Sequence, residues 1–253
     1  MVLNDPDGFA ETAESIISQG FSDFEWVVVD GASRDATRVV IENYRSFISA
    51  YVSEPDDGIY DAMLKGARLS SGEWTVFMNA GDTFAHKNVL ENVARAPDAD
   101  MYYGLAYWTP HPSRGIKTKR PIMFPNRPLC DIWKGTPFSH QAFFCRTSLI
   151  EKLKFRRDLK IAADYDFYVR ALHSGASIHP LNFVVARIED GGLSAVSFYS
   201  RTIERYRVVK DYYKDVNVTA YYARLIFDQA RKDLGKKFRA LRRGRARRSG
   251  APG

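Results

Sequence analysis

Two short apolar segments that each run straight into polar and acidic residues restrict this chain more than any other feature. EWVVVDG at 25–31 carries Trp26, Val27, Val28 and Val29 and ends on Asp30. EWTVFMN at 73–79 runs into Asn79, Ala80, Gly81 and Asp82. β-Branched and aromatic runs without polar alternation suit strands buried on both faces. Helical patterns lie around them. In residues 7–19 (DGFAETAESIISQ), Phe9, Ala13, Ile16 and Ile17 share one face and Gly20 follows the end. Residues 34–45, 57–69 and 86–95 read as further helices, and 48–53 and 100–108 as further strands. Strands alternating with helices predict an α/β fold, a mostly parallel central sheet flanked by helices. Ligands bind off the carboxyl ends of such strands, which is where both acidic loops fall.

Beyond 108 the pattern changes. Residues 109–137 are rich in Pro and basic residues and lack periodicity, as a functional loop would. A helix is expected over 158–174, carrying Asp164, Asp166 and Arg170, then a strand over 177–188. From about Ser197 to Arg243 the pattern is helical and rich in Tyr and Arg. The expected organisation is one domain over 1–195 and a helical extension with a basic tail over 196–253. Charge supports that division. Residues 231–253 hold ten Lys or Arg and one Asp, a net +9 within a chain total of +7, which leaves residues 1–230 at −2. A slightly acidic body disfavours a nucleic-acid-binding face on the domain. No apolar run reaches the ~18 residues a membrane span needs, and no secretory signal opens the chain. Cys130 and Cys145 form no C-x-x-C pair and are expected to be buried free thiols.

Several chemistries are disfavoured by missing motifs: there is no G-x-G-x-x-G, G-x-x-x-x-G-K-[ST], H-E-x-x-H or G-x-S-x-G. What remains is acids at loop positions: Asp30 with Ser33 and Asp35, then SEPDDGIYDA at 53–62, then NAGD at 79–82. Taken singly, each suits a helix cap or a turn. Three clusters at one edge of one sheet point to a site.

In this order the segments resemble the inverting family 2 glycosyltransferases, which have the GT-A fold. The likeness runs from Val2 to about Leu193. It rests on FEWVVVDGASRDAT, SEPDDGIYDAMLKGARLSSGEW, VFMNAGDTF, SHQAFFCRTSLIEKL and IAADYDFYVR. The resemblance implies transfer from a UDP- or GDP-sugar to a hydroxyl of a glycan or lipid-linked acceptor. It makes Asp82 the ligand of Mn2+ or Mg2+, with Asn79 where many relatives carry an acid. Asp30 would accept a hydrogen bond from the nucleotide base, and Asp56 would lie near base or ribose. It assigns Asn4, Ser33, Lys65, Ala80, Gly81 and Gln141 to substrate binding as well. Leu64 stands where relatives often have Asn. His140 is either a structural hydrogen-bonder or a group near the diphosphate or acceptor.

Inversion needs a base opposite the leaving group. The resemblance puts it at Asp164, where relatives have Glu-Asp and this chain has Ala163-Asp164. Asp166 is the runner-up. At roughly 200° around a helix the two cannot share one site. Arg170 could meet a phosphate or pair with Asp166 across one turn. Residues 1–4 resemble only the end of the family's first strand. If the sheet lacks the rest, a catalytically impaired nucleotide-sugar-binding protein is the alternative.

The tail interleaves Leu225, Ile226, Phe227, Leu234, Phe238 and Leu241 with cations, as a surface helix drawn to anionic lipid would. A frayed, solvated terminus is the plainer reading. The expected location is cytoplasmic, with the tail able to hold the protein at the inner face of a membrane. A rival binding function uses the tail on nucleic acid. An enzymatic rival, a nucleotidyltransferase, would need cations for a triphosphate near the first strand, and LNDPDG has none.

Overall fold

Asp5 sets the first helix, α1 (Pro6–Ile17): its carboxylate accepts from the Gly8 amide at 3.0 Å, and Pro6 takes the first position, where no amide is needed. The computed structural model describes residues 1–109, 122–124, 128–189 and 198–248. The chain divides into two compact units, Met1–Val196 and Ser197–Gly253.

In the first unit, β1 (Val27–Asp30) and β2 (Ala50–Ser53) pair in parallel, from Val27 opposite Ala50 to Asp30 opposite Ser53. The helices α2 (Thr37–Asn43) and α3 (Ile59–Leu69) follow these strands. Phe9, Trp26 and Tyr44 form an aromatic cluster, with ring centroids 5.8–6.3 Å apart, that ties α1 and the end of α2 to the start of β1. A second sheet has six strands: β3 (Trp74–Val76), β4 (Thr83–Phe84), β5 (Met101–Thr109), β6 (Ile122–Phe124), β7 (Phe143–Arg146) and β8 (Ile178–Glu189). Their order is β3-β7-β5-β8-β4, with β6 on β5. Between them run α4 (Val89–Ala94), α5 (Thr147–Leu153) and α6 (Ala163–His173).

Met1 and Val2 join the sheets. Val2 exchanges hydrogen bonds with Val29 and Gly31, both 3.0 Å. Met1 donates to Met78 O at 2.8 Å and accepts from Ala80 N at 2.9 Å. These four bonds bring the loops after β1 and β3 side by side.

The expected α/β architecture with a central sheet is present, and its strand directions are mixed where a mostly parallel sheet was expected. β5 and β8 run parallel, while β3–β7, β5–β7, β5–β6 and β4–β8 are antiparallel. Two of these pairs come from β7, which enters between β3 and β5 against both. An antiparallel neighbour needs no crossover helix, so helix–strand alternation does not reveal it. The expected strand over 73–79 is also shorter, because beyond Val76 the backbone turns to Met1 instead of a sheet neighbour. The expected helix over 158–174 begins only at Ala163. Cys145 is buried as expected, and Cys130 is exposed, which corrects the expectation for that thiol.

The second unit holds α7 (Phe198–Val209) and α8 (Val218–Arg248), separated by a short break. Asn217 makes the break, its side chain accepting from the Ala220 amide at 2.9 Å as a helix cap does. Much of the Pro-rich loop and residues 249–253 lie outside the described residues.

Gly104 marks the tightest contact in the sheet. It sits at a register irregularity between β5 and β8, where a Cβ would overlap the Val185 side chain and lie 3.3 Å from Phe183 O. Gly104→Ala is expected to cost roughly 1–3 kcal/mol of stability in denaturant titration, and Val185→Ala added to it should recover part of the loss. An unchanged midpoint in the single variant would refute the close approach.

Candidate functional site

Asp30 ends β1 fully buried, and a buried carboxylate must be met by donors. Ser33 supplies its amide (3.0 Å) and hydroxyl (2.5 Å) to Oδ1, and Ser53, at the end of β2, gives its hydroxyl to Oδ2 at 2.6 Å. The Ser33 hydroxyl oxygen also accepts from the Asn4 amide at 2.9 Å, and Asn4 Oδ1 accepts from the Arg34 amide at 2.8 Å. The turn beyond β1 is thereby fixed. Asn4 (φ 50°) and Ala32 (φ 63°) both hold the left-handed conformation there, strain of a kind that gathers at binding loops.

Lys65 lies in α3 among carboxylates. Its ammonium reaches Asp56 at 2.8 Å, Glu54 at 3.0 Å and Asp61 at 3.3 Å, and also donates to Pro55 O at 2.8 Å. Burial pulls the ammonium's pKa down, but the bonds to Asp56, Glu54 and Asp61 outweigh it and hold it well above the ordinary lysine value. Lys65 therefore organises the E-P-D turn and aims Asp56 beside Gly31, where a Cβ would come within 2.9 Å of Asp56 Oδ2. Leu64, in the place of a common Asn, is buried in the core.

The loop after β3 is built around Asp82, only 4% exposed. Its Oδ2 accepts from the Asn79 amide (3.3 Å), from Asn79 Nδ2 (3.1 Å) and from Gln141 Nε2 (2.8 Å). Thr12 of α1 donates to the backbone carbonyls of Asp82 (2.7 Å) and Asn79 (3.1 Å). Gly81 (φ 88°) donates its amide to Gly8 O at 2.9 Å, and Ala80 donates to Met1.

Asn79 also reaches the other half of the site. The acceptor-only carboxylate of Asp82 forces the NH2 face of the amide toward it, and that same nitrogen lies 3.1 Å from His140 Nε2. His140 Nε2 must then accept, which assigns the proton to Nδ1. Nδ1 faces Asp164 Oδ2 at 3.9 Å. Asp164 opens α6 with a partly exposed side chain, and its Oδ1 accepts from its neighbour's amide, Tyr165 N, at 2.8 Å and from the Tyr60 hydroxyl at 3.0 Å.

The two candidate bases point apart. Asp166 is 1% exposed and bonded to Arg170 Nε at 2.6 Å, with Arg156 at 3.5 Å. Arg170 also donates to Leu153 O and Lys154 O, so it fastens α6 to the end of α5. Neither faces the Asp82 loop. Asp30, Ser33, Asn4, Asp56 and Lys65 form one cluster, and Asn79, Asp82, His140, Gln141 and Asp164 a second. Met1 and Val2 link the two through the backbone. Thr12 and Ser53 make contacts that the sequence reading did not assign, and Tyr60, which by sequence is with Asp57 and Asp61 either near the nucleoside or a residue that caps and packs the next helix, contacts Ile161 O and Asp164. Ser53 heads the S-E-P-D segment and Tyr60 lies in G-I-Y-D, so position within a motif was the available signal; Thr12 carried none.

Among the described residues no three His, Cys, Asp or Glu side chains gather as a metal cage. Asp82 is a single carboxylate. Magnesium-type cations use one or two carboxylates and complete their shells with water and substrate phosphates, so the donor set fits a cation that arrives with a diphosphate.

Known proteins resemble this chain in sequence and in fold. An uncharacterised glycosyltransferase of Mycobacterium tuberculosis is 32% identical over 178 residues, covering 67% of this chain and 65% of the relative, so the chain spans just under two thirds of that protein's length. The crystal structure of S. aureus TarS in complex with UDP superposes with a TM-score of 0.61 at 21% identity, over 82% of this chain and 62% of that one. A mannosyltransferase from Pyrobaculum calidifontis in complex with GDP-Man and Mn2+ gives 0.56 at 17%, over 82% and 59%. These structures share the fold. A model described as glycosyl transferase family 2 matches residues 1–154, more than half the chain, and the chain belongs to that family.

Proposed function

We propose that this protein transfers a sugar, with inversion, from a UDP- or GDP-sugar to a hydroxyl of a glycan or lipid-linked acceptor. The observation that carries the reading is the line of contacts from Asp82 through Asn79 and His140 to Asp164. It sets an acid suited to a diphosphate beside a partly exposed acid suited to a hydroxyl. The UDP and GDP-Man complexes of the structural neighbours support a nucleoside-diphosphate donor.

In this reading the loop of Asp30, Ser33, Asn4 and Asp56 receives the nucleoside. Ala80, Gly81, Asn79 and Gln141 line the diphosphate. Asp164 takes the proton of the acceptor hydroxyl as its oxygen bonds to the anomeric carbon. The carbon–oxygen bond to the diphosphate breaks on the opposite face and its electron pair leaves with the nucleoside diphosphate. Asp82, together with diphosphate oxygens, would hold Mn2+ or Mg2+, which neutralises charge on the leaving group.

Asp164→Asn is expected to lower transfer by roughly 10²–10⁴-fold while nucleotide binding, followed by UDP or GDP titration calorimetry, stays within experimental error. Loss of binding instead would sink the assignment. A second expectation concerns the cation. With one carboxylate available, Mn2+ alone should raise Tm little, Mn2+ with UDP or GDP should raise it more than the separate effects added, and Asp82→Asn should erase the excess. Strong Mn2+ binding without nucleotide would contradict a shared site.

The cationic extension is assigned to an anionic membrane surface on its sequence, since each Lys or Arg near such a surface contributes about 1 kcal/mol. No described helix is long and apolar enough to cross a membrane. Co-sedimentation with phosphatidylserine-containing vesicles should fall when Arg242, Arg243, Arg247 and Arg248 are changed to Gln. Equal binding to neutral vesicles, or tighter binding to duplex DNA at matched salt, would overturn it.

A further inference from the structure

Asp164 presents two oxygens in different surroundings. Oδ1 accepts from the Tyr165 amide at 2.8 Å and from the Tyr60 hydroxyl at 3.0 Å. Among the described residues Oδ2 has only the longer 3.9 Å approach of His140 Nδ1. Tyr60 comes from the first turn of α3, next to the E-P-D turn, whereas Asp164 belongs to α6, more than a hundred residues later. The ring of Tyr60 packs on Phe155 at 5.8 Å, and its hydroxyl also lies 2.8 Å from Ile161 O, the carbonyl three residues before Asp164. One hydroxyl thus contacts both the backbone leading into α6 and the carboxylate at its start.

We infer that Tyr60 is a positioning residue for the base: its hydroxyl holds Oδ1 and leaves Oδ2 as the oxygen that takes the acceptor's proton. The inference rests on the reading of Asp164 as base. The hydroxyl has one proton and two acceptors, Ile161 O and Asp164 Oδ1, so it can stay bonded to Asp164 while the carboxylate is charged and turn to Ile161 O once Oδ2 is protonated. No proton leaves Tyr60 in this scheme. Burial, followed by the charge of Asp164, raises the Tyr60 phenol well above its ordinary value, which keeps it a donor and removes it as a rival base. The arrangement also gives a purpose to the order of the chain. The helix that follows the nucleoside loop reaches across to fix the acid that acts on the acceptor, so the two halves cannot drift apart without releasing the base.

Tyr60→Phe tests this, because the ring and its packing on Phe155 remain. In a crystal structure of the variant the Asp164 carboxylate is expected to turn out of the plane it occupies in the native protein, while α6 stays in place. Release of nucleoside diphosphate from UDP-GlcNAc and GDP-Man, the two probe donors, should show kcat lowered about 10- to 100-fold, with KM for the nucleotide sugar within about twofold, as expected when positioning rather than ground-state binding is lost. A merely structural tyrosine would lower Tm and leave kcat per folded molecule unchanged. A carboxylate that keeps its native orientation in Tyr60→Phe overturns the inference whatever the turnover. Asp164→Asn, assayed beside it, separates the two ideas. If that variant retains full turnover, the base assignment falls. If it is inactive while Tyr60→Phe turns over at the native rate, only the role of Tyr60 falls.

Discussion

Burying the carboxylate of Asp82 is the constraint around which the rest of this site is arranged. Removing an ionised carboxylate from water costs several kcal/mol unless donors replace the lost hydration. Here the donors come from distant parts of the chain. Asn79 contributes its amide and side chain, and Gln141 reaches over from the segment before β7. Thr12 clamps the carbonyls of the same turn from α1. Satisfying one acid thus draws the first helix, the loop after β3 and the segment before β7 to a common point. An aspartate at 79 would keep the backbone contact but could not make the two side-chain ones, because it has no N–H; the Asn79 amide nitrogen carries two protons, one for Asp82 and one for His140.

Asp30 repeats the principle with hydroxyls. Ser33 and Ser53 donate to both of its oxygens and fix the β1 turn. Around Lys65 the charges reverse, with a single ammonium among Glu54, Asp56 and Asp61. Such a cluster holds its turn rigidly because each partner limits the freedom of the others. The cation is thereby committed to Asp56 and its neighbours. The apolar parts serve the same end. Phe9, Trp26 and Tyr44 fix α1 against β1, and α1 in turn presents Gly8 and Thr12 to the Asp82 loop.

Much of this was legible in the sequence. The valine-rich strand ending on Asp30 and the apolar run leading to the Asp82 loop pointed to the candidate site, and the spacing of Asp164 and Asp166 on a helix required that the two point apart. Arg170 could be anticipated as the partner of Asp166 from its position one turn on. Other features were not legible. The antiparallel entry of β7 between β3 and β5 depends on pairing between segments about seventy and about forty residues apart, and FFCR reads equally well as any buried strand. The exposure of Cys130 depends on what packs around the irregular turn from 129 to 134, for which a local pattern holds no record. The break between α7 and α8 was signalled only by Asn217, a cap that resembles any other asparagine.

The sequence by itself determined the class of fold, the acids at its strand ends and the family, because hydrophobic period and residue type act over a few neighbours. Tertiary structure alone decided how the acids are used. It buried Asp30 and Asp82 behind specific donors, turned Asp166 inward to Arg170, left Asp164 partly open beside His140 and brought Tyr60 to it from another helix. Those outcomes follow from side-chain orientation and, for Asp30, Asp82 and Asp164, from donors distant in the chain, which a local pattern of residues does not specify.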